Sequence, residues 1–242
     1  MSLIFRPSFF RTFAVPATVV AMFAVGVALE RTVIRPVLGQ PVFSVLVLTI
    51  GIGYVLRGLA SMIPGFGTET SALEVPYKGH VLNVAGVVIS HEQVAVVVVT
   101  MLLCLGLFIL FRYSRIGIAM QAVSQNQLAA YYMGIPVRRM NGLVWGIAAA
   151  LAAAAGLLLA PFTFVHANMG FVGLKAFAAA VVGGFGSLPG AIAGGILVGL
   201  IESVAGFYLP DGFKDVAAYV VVLIVLVVRP NGLFGGTLRK KV

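Results

Sequence analysis

The sequence predicts an all-α integral membrane protein, a polytopic bundle of about seven transmembrane helices, and three observations predict it. The 242 residues are 61% hydrophobic and only 10% charged, too little polar surface to cover a water-soluble globule of that length. Apolar runs long enough to cross a bilayer recur along the chain. The bases gather in three segments, as they do on the cytoplasmic side of a membrane protein.

Taken in order, the apolar runs cover residues 13–29, 42–63, 94–111, 140–160, 175–185, 190–207 and 213–228. A membrane helix needs about 20 mostly apolar residues, so the fifth run is short enough to turn back rather than cross. Charge decides for crossing. With seven crossings, segments 30–41, 112–139 and 229–242 share one side and carry ten bases against the single acid Glu30. The other side holds Glu69, Glu74, Glu92, Asp211 and Asp215 against Lys78, Lys175 and Lys214. The first group is therefore expected in the cytoplasm, with the C-terminus, and the N-terminus outside. Arg6 and Arg11 ahead of the first run have the look of a signal or anchor, but that orientation would send the basic loops outward.

Several function classes fall away. The net charge of +9 reads as topology in such a chain, not as a nucleic-acid footprint. Cys104, the sole cysteine, forms no intrachain disulfide and is expected to be a small buried hydrophobe. His80, His91 and His166 lie in outer loops without metal-ligand spacing, so no metal site and no catalytic group are expected. No Gly-Lys dipeptide occurs, which excludes a P-loop. ATP and its Mg, if they drive the protein, bind a partner.

The loop 114–139 contains no acid, His or Cys. Ala122, Asn126 and Ala130 recur at i, i+4 and i+8, predicting one face of a short helix, and Gly134 followed by Pro136 predicts its stop. Such a helix is either a connector in the headgroup layer or a docking helix whose small side chains let a soluble partner approach. Further on, Gly183, Gly184 and Gly186 predict a break, and Ser187 and Pro189 the restart of a helix. Gly190, Gly194, Gly195 and Gly199 then form small-residue ridges. Close packing of spans accounts for these glycines; so does a broken backbone whose N–H groups hold a substrate carboxylate near the midplane. Two ionisable residues fall inside predicted spans. Arg57 is near enough to an end to snorkel, while Glu202 lies deeper and serves equally as a packing partner or a pathway residue.

The stretch "QAVSQNQLAAYYMGI" resembles the coupling-helix segment of ABC-importer permeases, in the form found in permeases for branched-chain amino acids. Ala122, Asn126, Ala130, Gly134 and Ile135 match that pattern, while Gln121 stands where the family commonly has Arg. "ERTVIRPVLGQP" with "TIG" at Thr49 to Gly51, "MGFVGLKAFAAAVVGGFGSLPGAIAGG" and the tail "RPNGLFG" resemble the same family, in the same order. The resemblance implies one transmembrane permease domain over residues 1–242, with a coupling loop at about 112–139 and a Gly-rich broken-helix region at about 175–207. It implies a second related permease subunit, two cytoplasmic ATPases, a periplasmic substrate-binding protein, and a multi-pass location in a bacterial inner membrane. It implies leucine, isoleucine or valine as substrate, with urea or a short amide as the alternative within the family. It also implies a longer N-terminus, with an opening span and an "NFAHGE"-like motif that this sequence does not contain. Two readings outside that function stay open. An ion-coupled secondary transporter would need intramembrane acids, of which Glu202 is the candidate; a non-transporting membrane subunit would suit a chain short of that opening span.

Overall fold

A computed structural model describes residues 9–37, 39–63, 81–84, 87–163, 167–184, 186–210 and 213–235, and in these the apolar runs have become helices close to the expected bounds. Helix α1 covers Phe9–Leu29 and α2 covers Val42–Ser61. A hairpin of β1, Val81–Val84, and β2, Val87–Ser90, precedes α3, His91–Tyr113. Then come α4, Arg115–Gln125, α5, Gln127–Tyr132, and α6, Val137–Thr163. Helices α7, Phe171–Gly183, α8, Leu188–Tyr208, and α9, Phe213–Val228, complete the order. Among the described residues five helices are long and apolar enough to cross a membrane, those of α1, α2, α3, α6 and α8. The other two apolar helices are shorter: α7 has 13 residues and α9 has 16. At about 1.5 Å per residue α7 spans about 20 Å, less than the hydrocarbon thickness.

The chain divides into two compact units, Met1–Ala167 and Asn168–Val242. In the first, α1 packs along α6. Glycines make the approach possible: a Cβ on Gly26 would lie 2.5 Å from the Trp145 carbonyl oxygen and 2.7 Å from the Ala149 Cβ, and one on Gly146 would lie 2.7 Å from the Phe23 ring. In lipid this packing, not water exclusion, drives the association of spans. Gly26→Val is therefore expected to cost about 1–3 kcal/mol or more by overpacking, seen as a lower melting temperature of the purified protein in detergent; an unchanged melting temperature would show that the two helices do not meet this closely.

Two local features differ from expectation. Residues 30–41 are not simply a loop, because α1 continues into a π-helical turn, Glu30–Ile34, and a 3₁₀ turn, Arg35–Val37. A π turn carries an extra residue and so re-aims its side chains; here Glu30 and Ile34 are both buried. The antiparallel hairpin, pairing Val81 with Ser90 and Val84 with Val87, follows from a run of β-branched residues too short to span. Ser90 then starts α3 with a capping box: its hydroxyl accepts from the Gln93 N–H at 3.3 Å, and its own N–H donates to Gln93 Oε1 at 3.2 Å. That cap sets the helix start ahead of the apolar run that begins at Val94.

In the second unit α7, α8 and α9 pack together around Val182, Ala179, Val198 and Ala218. Gly183 of α7 sits on the backbone of Gly190, and Gly194 of α8 sits against the Ala179 carbonyl and the Gly183 backbone, where any Cβ would overlap them.

Candidate functional site

The loop between α3 and α6 is the first candidate, and its local sequence explains its shape. Ser114 ends α3 and caps α4, its hydroxyl accepting from the Gly117 N–H at 3.1 Å. Gln121 reaches back and donates from Nε2 to the Phe111 carbonyl at 2.9 Å, satisfying one of the open carbonyls at the end of α3. The residue that departs from the family pattern thus keeps a polar contact of its own. The expected single helical face of Ala122, Asn126 and Ala130 is not what forms. Asn126 adopts an extended conformation (φ −156°, ψ 105°) that separates α4 from α5, and its Oδ1 accepts from the Ala129 N–H at 3.0 Å. Asparagine leaves the helix to cap it because its short amide competes for backbone N–H groups. Its side-chain oxygen is therefore engaged within the loop.

Ala130 is buried with Met120, Val123 and Met140, with Ile135 packed against that cluster, and Ala122 is half-buried. Gly134 closes α5 at φ 79°, with the Gly134 N–H on the Tyr131 carbonyl and the Ile135 N–H on the Ala130 carbonyl, both at 3.0 Å. That conformation favours glycine. What the two caps and the buried Ala130 hold outward is a set of large side chains: Leu128 at 69%, Tyr131 at 67%, Tyr132 at 82% and Met133 at 82% exposed. The Tyr131 and Tyr132 rings meet edge to face, centroids 6.1 Å apart. Sequence reading favoured the small residues, which face the loop's own core; the signal for the tip was the unbroken "YYM" ahead of the glycine stop.

The second candidate is the glycine break. Here Ser187 caps α8 as expected, its hydroxyl accepting from the Gly190 N–H at 3.1 Å, with Pro189 in the first turn. Two of the N–H groups at the break that were envisaged for a substrate carboxylate are in use: the Gly184 N–H bonds the Ala180 carbonyl at 3.0 Å, and the Ser187 N–H bonds the Gly184 carbonyl at 3.3 Å. The tail motif also folds onto this joint. The Leu233 N–H donates to the Val182 carbonyl at 2.9 Å and the Phe234 N–H to the Gly183 carbonyl at 3.0 Å, closing the open end of α7. Gly184 takes φ 105°, and side chains on it or on Gly232 would overlap the facing backbone. Gly186 keeps open space around it. Two motifs quoted separately from the sequence, "GGFGSLPG" and "RPNGLFG", thus form one joint.

Ionisable groups supply two further features. Glu202 of α8 pairs with Lys175 of α7, Oε1 to Nζ at 2.6 Å, both side chains 28% exposed. Lys175 is accordingly a helix residue, not part of an outer loop, since α7 begins at Phe171. Glu30, which sequence reading counted only as a loop charge, is fully buried and held by two bonds from Arg35, Nη2 to Oε2 at 2.8 Å and Nε to Oε1 at 3.2 Å. It lies against Gly142 of α6. Arg57 is exposed on α2 and Cys104 half-exposed on α3. His91 is the first residue of α3, and His80 and His166 lie outside the described residues. No group of three His, Cys, Asp or Glu that could hold a metal occurs among the described residues.

Comparison with known proteins bears on most of the chain. Residues 8–228 match the profile of a family described as the permease component of branched-chain amino acid transport systems. The chain is 36% identical over 224 residues to the high-affinity branched-chain amino acid transport system permease protein LivH of Escherichia coli K12, covering 90% of this chain and 72% of that protein. It is 33% identical over 228 residues to the corresponding BraD of Pseudomonas aeruginosa, covering 92% and 74%. A probable LivH of Methanocaldococcus jannaschii is 33% identical over 151 residues, 59% of this chain and 48% of that protein. No solved structure gives a significant match.

Proposed function

The chain belongs to the family of permease components of branched-chain amino acid transport systems, and from that membership we propose that it is the membrane-spanning permease subunit of an ATP-driven importer of leucine, isoleucine and valine. The observation that carries the reading is the identity to LivH across 90% of the chain. The names of the relatives favour branched-chain amino acids over urea or a short amide. As a permease it is a transport subunit rather than an enzyme.

The assembly we propose has a second related permease subunit, two cytoplasmic ATPases and a periplasmic binding protein, set in a bacterial inner membrane with the C-terminus in the cytoplasm. The ten bases of the three basic segments support that orientation. ATP and Mg bind the ATPases, because this chain has no P-loop. The capped tip of Leu128, Tyr131, Tyr132 and Met133 inserts into an ATPase groove, and closure of the two ATPases drags it, rocking the spans between outward and inward states. Gly183, Gly184, Gly186, Ser187, Pro189 and Gly190 act as the joint on which α7 and α8 move as one body.

Reconstitution tests the reading. Vesicles holding both permeases, the ATPases and the binding protein should accumulate leucine only with ATP, and excess isoleucine or valine should compete while urea and acetamide should not. Uptake that proceeds without ATP and collapses when the proton gradient is dissipated would instead make this an ion-coupled transporter.

A further inference from the structure

We propose that the π turn Glu30–Ile34 is a hinge of the transport cycle: the Glu30–Arg35 ion pair is its catch, α6 its lever, and α2 the span that it swings. This deepens the importer reading and rests on it.

The ion pair and the widened turn are one feature. In a continuous α-helix a residue five places on lies about 140° round the axis, well away from the first. Here the Arg35 N–H donates to the Glu30 carbonyl, the i to i+5 link of a π turn. The same two residues then meet through their side chains, by bonds of 2.8 and 3.2 Å. If the turn tightens to α, the pair must part and leave the fully buried Glu30 without its partner. That penalty makes π the resting form. Release therefore needs work from outside the turn, which the ATPases supply through the docking loop, and two such forms of one segment make a switch.

The lever is in α6. Met140, in its first turn, is buried with Met120, Val123 and Ala130 of the docking loop. Two residues on, Gly142 faces the Glu30 carboxylate, where a Cβ would stand 3.4 Å from Oε2. A pull on the loop therefore moves the surface against which Glu30 rests. Upstream of the turn α1 cannot yield, because Gly26 and Gly146 bring it into close contact with α6. Downstream the chain can move: the Arg35 side chain is 34% exposed, and no described residue of α2 is buried. The π turn thus lies where a clamped span gives way to one that its own chain does not enclose.

The test removes the extra residue and keeps the pair. Thr32 is exposed and its hydroxyl bonds the Ala28 carbonyl of its own helix. Deleting it leaves Glu30 and Arg35 four places apart, the pairing distance of an ordinary α-helix. An alanine inserted after Gly39, ahead of α2, restores the chain length so that α2 keeps its facing. In the full importer this compensated variant should keep its melting temperature and its ATPase, yet lose leucine uptake by at least about tenfold. Thr32→Ala, which keeps the length of the turn, should transport normally. Spin labels at Met62→Cys and Phe162→Cys in a Cys104→Ala background, at the ends of α2 and α6, give a second readout. With the native turn their separation should change by ~5 Å when ATP and vanadate trap the ATPases closed, as a swing of about 10° over about 30 Å of helix requires. In the compensated variant it should stay fixed. Full uptake by the compensated variant would reduce the π turn to a detail of packing and overturn the proposal. A separation that ignores nucleotide with the native turn would overturn it too, and that measurement decides even where the deletion lowers the yield. ATP-driven leucine uptake by the native chain keeps the two readings apart: uptake with a fixed separation rejects the hinge alone, and no uptake rejects the importer reading.

Discussion

Tyr132→Asp is expected to leave the permease in the membrane at its normal level while abolishing co-purification of the ATPase and uptake of leucine. Tyr132 projects from a six-residue helix fixed by Asn126 at one end and Gly134 at the other, and 82% of it is exposed. Its ring meets that of Tyr131, which is itself exposed, so folding should be spared. A carboxylate driven into a partner's groove would have to be desolvated without a counter-charge, and losing a central aromatic anchor costs about 2–4 kcal/mol, enough to lower association by about 30- to 1,000-fold. Ala130→Asp makes the informative contrast. Ala130 packs inside the loop with Met120, Val123 and Met140, so the charge would unseat α5 itself and reduce the amount of folded protein. A tip that merely rests on lipid headgroups would tolerate Tyr132→Asp, and retained association with full uptake would remove the docking role.

The contrast between these two positions shows what could be read from residues alone. Among the described residues, length and hydropathy located the apolar helices, five of them long enough to cross a membrane and two shorter, because a span is specified by composition over many residues and tolerates local error. The stop at Gly134 and the restart at Ser187 were legible because caps are chosen by short-range chemistry. The face of α5 was not. A period of four places Ala122, Asn126 and Ala130 together only if the helix is continuous, and Asn126 breaks it by capping its own chain. The pairing of the glycine break with the tail was out of reach for another reason: Val182 and Leu233 are distant in sequence, and no local preference signals that one will cap the other. Lys175 was assigned by its place at the edge of an apolar run, while its pairing with Glu202 depends on how α7 and α8 pack.

Arg35→Met is expected to be the most destabilising single change in the first unit. The substitution keeps a long side chain yet strips Glu30, which has no exposed surface, of both hydrogen bonds from Arg35. Leaving a buried charge without its partner costs about 3–5 kcal/mol. Glu30 cannot swing out to water cheaply, because it sits within the π turn and faces Gly142 of the helix that α1 packs against. The expected outcome is a sharp fall in melting temperature and in accumulated protein, with uptake lost in proportion. The double change Glu30→Gln with Arg35→Met separates the pair's electrostatics from its shape. It removes the charge and leaves a neutral amide of the same size, so most of the stability should return if the penalty is the stranded carboxylate. Recovery of stability without recovery of uptake would give the pair a second part, in holding α1 and α6 at the spacing that transport needs. If Arg35→Met melts like the unaltered protein, Glu30 reaches water in solution and the π turn is not built around a buried ion pair.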